Sequence, residues 1–167
     1  VSAELSAYAH ELAGLTDRVR VAQGAPCADA APFVRVLRAD GTDSGLAFHG
    51  VPGGHEFTSF VLGLYNVAGP GQPLDDDVRS RIAAIENRVD IKVLVSLSCT
   101  MCPETVVAAQ RIAAENDGVR AEVYDIAHAP GLKERYNVMS VPCVVVDDGK
   151  QVLFGRKNIA QLLDALQ

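Results

Sequence analysis

The chain has 167 residues, of which 49% are apolar and 22% are charged, and its formal net charge is −6. This composition is typical of a globular protein that forms one ordinary domain or two very small ones. No apolar run reaches about 18 residues, which excludes a membrane span, and the lack of a basic stripe argues against nucleic-acid binding. No export signal is visible, so we expect a cytoplasmic protein with no membrane or nucleic-acid partner.

Five segments repeat apolar residues at the spacing of an amphipathic helix. The first contains Leu5, Tyr8 and Leu12, and Pro103, a residue favoured in the first turn of a helix, precedes the fourth. In chain order, the spacing predicts helices near residues 3–15, 57–64, 74–88, 105–114 and 159–166.

Short runs rich in β-branched residues lie between these helices and predict strands. The predicted strands cover residues 18–22, 91–97, 119–124, 143–146 and 152–154, with a hairpin signal at 147–149. From the strand at 91–97 onward, the order is strand, helix, strand, short helix, hairpin, helix. This order predicts an α/β fold with a mixed β-sheet and helices on both faces.

The first half of the chain is an imperfect copy of the second. Residues 32–34 parallel residues 142–144, a glycine-containing turn follows each, and a helix with the same apolar spacing closes each copy. The first copy lacks the opening strand and any close cysteine pair. A stretch rich in glycine and proline at 69–73 marks the boundary. We therefore predict a degenerate unit at residues 1–73 and a complete unit at 74–167, packed as one domain.

Four cysteines are too few for a disulfide scaffold in a chain of this length, so the close pair Cys99 and Cys102 indicates redox or metal chemistry. The pair lies where a predicted strand meets a predicted helix, whose N-terminus stabilises a thiolate. We expect Cys99 to be the attacking thiol and Cys102 to resolve the mixed disulfide. Half of a zinc site and a pair of inert core thiols are the alternatives. Cys27 lies in a predicted loop without a visible partner.

Three other residues are candidates for a place near the pair. Pro142 opens a strand, where proline is allowed for structural reasons alone. The functional hypothesis is a cis bond between Val141 and Pro142 that packs against the dithiol and leaves the preceding backbone free to pair with an extended substrate. Cys143 is expected to be a buried thiol that points into the sheet. Glu56, at the start of a helix, either matches the helix dipole or accepts a proton from the dithiol of the other unit.

Four motifs are distinctive in combination: GHEFTS at 54–59, SLSCTMCP at 96–103, NVMSVP at 137–142 and FGR at 154–156. They resemble the N-terminal domain of the flavoprotein component of bacterial alkyl hydroperoxide reductase. The resemblance covers nearly the whole chain. It implies two fused thioredoxin-like units that share one sheet, of which only the second keeps its cysteines. It also implies that Glu56 corresponds to the glutamate that the family places near its dithiol.

The resemblance implies a thiol–disulfide oxidoreductase domain that takes electrons from a flavin-and-dithiol module, which oxidises NADH, and passes them to a peroxiredoxin. Familiar members have His-Asn between the cysteines, where this chain has Thr100 and Met101. The implied catalytic residues are Cys99, Cys102, Pro142 and Glu56, and the implied partner-binding residues are Thr100, Met101 and Val141.

The chain has no Gly-x-Gly-x-x-Gly fingerprint, so we expect it to bind neither FAD nor NADH itself, and we expect no bound metal. Two alternatives to the relay stay open at this point. One is a free-standing, glutaredoxin-like protein disulfide oxidoreductase. The other, from a different class, is a non-catalytic module that binds zinc or a protein partner.

Overall fold

A computed structural model describes residues 1–25 and 31–167. Cys27 falls outside the described residues. No helix of the described residues has both the length and the apolar character needed to cross a membrane. In chain order, the elements are α1 (Ser2–Gly14), β1 (Phe33–Leu37), β2 (Asp43–His49), α2 (Glu56–Ala68), α3 (Asp76–Ala83), β3 (Val89–Val95), α4 (Cys102–Glu115), β4 (Val119–Asp125), α5 (Pro130–Arg135), β5 (Cys143–Val146), β6 (Gln151–Phe154) and α6 (Ile159–Leu166).

The described strands form one six-stranded sheet in the order β1-β2-β4-β3-β5-β6. Strand β4 pairs in parallel with both β2 and β3, whereas the pairs β1–β2, β3–β5 and β5–β6 are antiparallel. The predicted mixed sheet is therefore confirmed. The parallel β2–β4 pair joins the strands of the first half of the chain to those of the second half.

Successive side chains of the central strands point to opposite faces of the sheet. On one face, Ile91 and Val93 belong to the main core, to which α1, α2, α3, α4 and α6 contribute. On the other face, Leu94 and Cys143 pack against Leu132 of α5. The prediction of helices on both faces is confirmed, and the unequal distribution places the largest core between the sheet and α4.

Helix α3 is shorter than the helix predicted at 74–88. The side-chain amide of Asn116 donates hydrogen bonds to the carbonyl oxygens of Ile82, at 2.8 Å, and Ile85, at 3.1 Å. A longer helix would have bonded these carbonyls internally. Asn116 therefore satisfies the end of α3 and lets the chain turn into β3.

The strand predicted at residues 18–22 is wrong. Residues 18–25 have no regular secondary structure, and Val21 is 39% exposed. A strand needs a neighbour to satisfy its backbone groups, and the described sheet provides none for this segment. The alternation of apolar and polar residues in this segment is typical of a strand, but no strand forms because the segment has no pairing partner in the described sheet.

Candidate active site

Residues 96–101 form the turn that joins β3 to α4. The amide of Cys99 donates a hydrogen bond to the carbonyl of Ser96 at 3.0 Å, and α4 begins at Cys102 with Pro103 in its first turn. Cys99 and Cys102 form a disulfide, with their Cα atoms 5.6 Å apart. Cys102 is fully buried, whereas Cys99 is partly exposed. This is the asymmetry expected of an attacking and a resolving thiol.

A second loop, which leads into β5, lies against the cysteine turn. The Val141–Pro142 bond is cis, in agreement with the hypothesis from the sequence. The carbonyl oxygen of Val141 lies 3.9 Å from Sγ of Cys99, and Pro142 is buried. The structure therefore brings these two residues together with the disulfide.

Exposed side chains occur in the cysteine turn and in the loop that leads into β5. Thr100 and Met101 lie within the turn, and Met101 is 47% exposed. Met139, two residues before Val141, is 80% exposed. These are the two methionines of the chain. Met101 is a candidate from the sequence, whereas the exposed Met139, two residues before Val141, is not among the candidates.

The start of α2 reaches the cysteine turn from the other half of the chain. The amide of His55 donates a hydrogen bond to the carbonyl of Leu97, two residues before Cys99, at 3.0 Å. Gly54 has φ +54°, and a Cβ atom at this position would lie 2.5 Å from the same carbonyl oxygen. Glycine is therefore needed here for the close approach that brings Glu56, the first residue of α2, to this end of the sheet.

The carboxyl group of Glu56 is fully buried. The hydroxyl of Ser59 donates a hydrogen bond to its Oε2 atom, while Oε1 has no hydrogen-bond partner among the residues that the structure describes. Burial raises the pKa of Glu56 to about 7, and the hydrogen bond from Ser59 opposes part of that rise. A carboxyl group that titrates near neutral pH can both accept and release a proton.

Cys143 follows Pro142 in the chain but faces away from Cys102. It belongs to the smaller core on the opposite face of the sheet, together with Leu94 and Val145. Burial raises the pKa of its thiol to about 11, so this thiol stays protonated at neutral pH. The prediction of a buried thiol that points into the sheet is confirmed.

A zinc site needs about four ligands held in a tetrahedral arrangement. Within residues 1–25 and 31–167, no group of three or more histidine, cysteine, aspartate or glutamate side chains is arranged to hold a metal ion. The sulfur atoms of Cys99 and Cys102 are joined to each other in this structure.

The whole arrangement has a close counterpart among solved structures. The N-terminal N/C domain of the alkylhydroperoxide reductase AhpF from Enterococcus faecalis matches 99% of this chain and 84% of its own, with a TM-score of 0.93 and 36% sequence identity. The chain belongs to this family of AhpF N-terminal domains. The resemblance inferred from the motifs and the thioredoxin-like fold are confirmed.

Other comparisons agree with the AhpF assignment or with the fold alone. A family model described as a thioredoxin domain matches residues 89–166. The alkyl hydroperoxide reductase F component of Pseudomonas aeruginosa is 35% identical over 97% of this chain, which spans only 30% of that relative's length. A protein disulfide oxidoreductase from Aeropyrum pernix shares the fold, with a TM-score of 0.72 and 24% identity over 83% of this chain and 60% of its own.

Sequence reasoning missed two polar residues of this AhpF-type domain. Ser59 lies three residues after Glu56, and that spacing puts the two side chains on one helix face, which was a usable signal. Nε2 of Gln110, on α4, donates a hydrogen bond to the carbonyl of Ser59 at 2.8 Å. A Cβ atom on Gly63 would lie 2.8 Å from Oε1 of Gln110, so the glycine makes room for this contact between α2 and α4.

Proposed function

We propose that the chain is a thiol–disulfide exchange domain that relays electrons from a flavin-and-dithiol module to the disulfide of a peroxiredoxin. The observation that carries the proposal is the disulfide at the start of α4, which joins a partly exposed cysteine to a fully buried one. Its AhpF relatives are named for reduction of alkyl hydroperoxides, and the chain spans about 30% of their length. FAD and NADH belong to the separate module in this proposal, which places the relay in the cytoplasm, where NADH is available.

The exchange takes place in two displacement steps once the pair is reduced. The Cys99 thiolate attacks one sulfur of the partner disulfide, forming a mixed disulfide and releasing the partner's other sulfur as a thiolate. The Cys102 thiolate then attacks Cys99, which re-forms the internal disulfide and releases the first partner sulfur. Two electrons pass to the partner, and the flavin-linked dithiol restores them by the same chemistry in reverse.

Burial of Cys102 creates a need for a proton acceptor, because a thiol must lose its proton before it attacks. We assign this role to Glu56, whose buried carboxyl takes the proton as the Cys102 thiolate forms. The unit at residues 1–73 thereby supplies an accessory group, and the unit at 74–167 supplies the exchange centre.

The partner docks on the loops around Cys99. We assign Pro142 and Val141 to the groove that receives an extended partner segment, since Val141 lies within 3.9 Å of the sulfur. We assign Thr100 and Met101, which follow Cys99 in the same turn, to contacts with the same segment. Flexible, polarizable methionine side chains adapt to varied partner surfaces.

Covalent trapping tests the relay. In a background with Cys27→Ser, the Cys102→Ser variant has no resolving thiol, so the mixed disulfide with an oxidised peroxiredoxin should accumulate. We expect a complex on a non-reducing gel that disappears when dithiothreitol reduces the mixed disulfide. Mass spectrometry should identify Cys99 as the attachment point. The matched control is Cys99→Ser in the same background, which should form no complex.

Two results would overturn the proposal. One is the absence of a peroxiredoxin complex under conditions in which the reduced chain reduces unrelated protein disulfides, which would favour a general disulfide oxidoreductase. The other is stoichiometric zinc on the reduced chain together with a Cys99 thiol that titrates like a free cysteine, which would favour a non-catalytic module.

A further inference from the structure

Two hydrogen bonds, both through Ser59, link α4 to the buried carboxyl of Glu56. The side-chain amide of Gln110, on α4, donates a hydrogen bond to the backbone carbonyl of Ser59 at 2.8 Å. The hydroxyl of Ser59 donates a hydrogen bond to Oε2 of Glu56. All three side chains are almost wholly buried, at 3%, 1% and 0% exposure. Since α4 begins at Cys102, these hydrogen bonds connect the Glu56 carboxyl group to the helix that carries the resolving thiol.

The two oxygens of the Glu56 carboxyl are not equivalent. Oε2 accepts a hydrogen bond from the Ser59 hydroxyl, whereas Oε1 is buried without a hydrogen-bond partner in the described part of the chain. The Ser59 hydroxyl has a single proton, and its second possible acceptor is the backbone carbonyl of Glu56, at 3.0 Å. Both acceptors belong to Glu56, so the hydroxyl stays beside this residue whichever one it serves.

We propose that Ser59 is the positioning residue for Glu56: its hydroxyl holds Oε2 and leaves Oε1 as the oxygen that exchanges a proton with the dithiol. This inference rests on the proposed function. In the step that it serves, the Cys102 S–H bond breaks, an O–H bond forms at Oε1, and the negative charge moves from the carboxylate to the sulfur. No electrons move in this step.

The Ser59 hydrogen bond favours the charged carboxylate, because a hydrogen bond to an ionised acceptor is stronger than one to a neutral acceptor. Burial therefore raises the pKa of Glu56 less than it would without this bond. Titratable and charged groups on the elements that pack against α2 are Tyr8 on α1, Asp43 and His49 on β2, and Glu104, Arg111 and Glu115 on α4, besides His55 and the cysteine pair. No hydrogen bond joins any of them to Glu56 within residues 1–25 and 31–167.

The test is the titration of Glu56 in the Ser59→Ala variant. The side-chain carboxyl carbon is followed by ¹³C NMR against pH, and its resonance is assigned by its loss in Glu56→Gln. We expect the midpoint to move up by about one pH unit in Ser59→Ala, the size of change that follows when a charged group loses a hydrogen bond. When the rate of disulfide reduction is plotted against pH, the acid limb of the curve should shift to higher pH by the same amount.

Two variants serve as controls. Ser59→Thr keeps the hydroxyl and should restore the wild-type midpoint. Thr58→Ala removes a neighbouring, exposed hydroxyl from the same helix and should leave the midpoint unchanged. Alanine is smaller than serine and favours helix, so Ser59→Ala is expected to fold, which circular dichroism checks.

The outcomes separate this inference from the relay itself. An unmoved Glu56 midpoint in Ser59→Ala overturns the positioning role, whatever the trapping experiment shows. A moved midpoint with an unmoved acid limb overturns it as well, because Glu56 would then not exchange the proton. Failure to trap a peroxiredoxin through Cys99 overturns the relay but leaves the NMR result for Ser59 standing.

Discussion

Glu56 is an ionisable carboxyl group held where water cannot solvate its charge, and burying such a charge lowers the stability of the fold. The same burial brings its pKa into the range that is useful for proton transfer. Ser59 supplies one hydrogen bond to it, and Oε1 receives none from the described residues. A residue chosen for stability alone would be apolar at this position. The buried carboxyl is therefore a group whose contribution to stability depends on pH, and that dependence gives a direct measurement of its state.

We predict that the stability of the chain falls between pH 5 and pH 8, and that Glu56→Gln removes much of this fall. Burial raises the pKa of Glu56 from 4.5 to about 7 in the folded chain. Below pH 4.5 the folded and unfolded chains both hold the proton. Between pH 4.5 and about pH 7 the folded chain binds more protons than the unfolded chain. The free energy of unfolding therefore decreases as pH rises, by about 2–3 kcal/mol across this range.

Urea unfolding at pH 5 and at pH 8 measures this difference. The variant is compared with itself at the two pH values, so any constant effect of the buried amide cancels. Equal changes in the free energy of unfolding for the wild-type chain and Glu56→Gln would contradict the prediction.

At the scale of secondary-structure elements, the decisive contact joins the start of α2 to the cysteine turn. Gly54 provides the close approach, and His55 adds the hydrogen bond to Leu97. The contact runs between elements far apart in the chain. It fixes where α2 begins relative to the turn that holds Cys99.

Gly54→Ala should disturb both stability and exchange. The added Cβ would lie 2.5 Å from the carbonyl oxygen of Leu97, and φ +54° disfavours alanine. We expect a loss of about 1–3 kcal/mol in the free energy of unfolding and slower disulfide exchange, because Glu56 is carried away from its position. Gly14→Ala, at the end of α1 with nothing within 4 Å of the new atom, is the matched control and should lose neither. Unfolding and exchange assays on both variants provide the check, and wild-type values for Gly54→Ala would refute the close approach.

Sequence patterns predicted the elements whose signal is local. The apolar stripes of α1, α2, α4 and α6 and the strands from β3 to β6 lie where periodicity indicated. The errors arise where a distant residue decides. Asn116 ends α3 early, and residues 18–22 lack a strand partner. Ser59 shares a helix face with Glu56, which is a local signal, but its importance follows only from the burial of Glu56 and from the contact with Gln110, a residue far away in the chain.

Across the whole molecule, the sheet carries a polar network that ties β1, β2 and β4 together. Glu122 on β4 accepts hydrogen bonds from Arg35 on β1, at 3.0 Å, and from Tyr124, at 3.0 Å, and lies 2.9 Å from Nε2 of His49 on β2. The ring of His49 stacks on that of Tyr124, with centroids 4.0 Å apart. The network spans the β2–β4 pair and therefore reinforces the junction between the two halves of the chain.

Acid should weaken this junction. Burial alone would raise the pKa of Glu122, but the hydrogen bond and charge of His49 and the charge of Arg35 lower it to about 2. Its contribution is therefore complete above pH 4.5 and is lost as pH falls towards 2. We expect Glu122→Gln to be less stable than the wild-type chain by about 2 kcal/mol at pH 6, with a smaller gap at pH 3.5. Thermal unfolding at both pH values tests this, and a gap that stays constant would count against it.

The burial of Cys102 has a kinetic consequence. Cys99 is partly exposed and Cys102 is fully buried, so in the proposed relay the electron donor and the electron acceptor have to engage the centre through Cys99, one at a time. Steady-state rates should give parallel lines in double-reciprocal plots, the signature of a ping-pong scheme. The dithiol holds a single electron pair. When the reduced chain is mixed with acceptor in the absence of the electron donor, it should therefore reduce one equivalent of acceptor in a rapid burst and then stop.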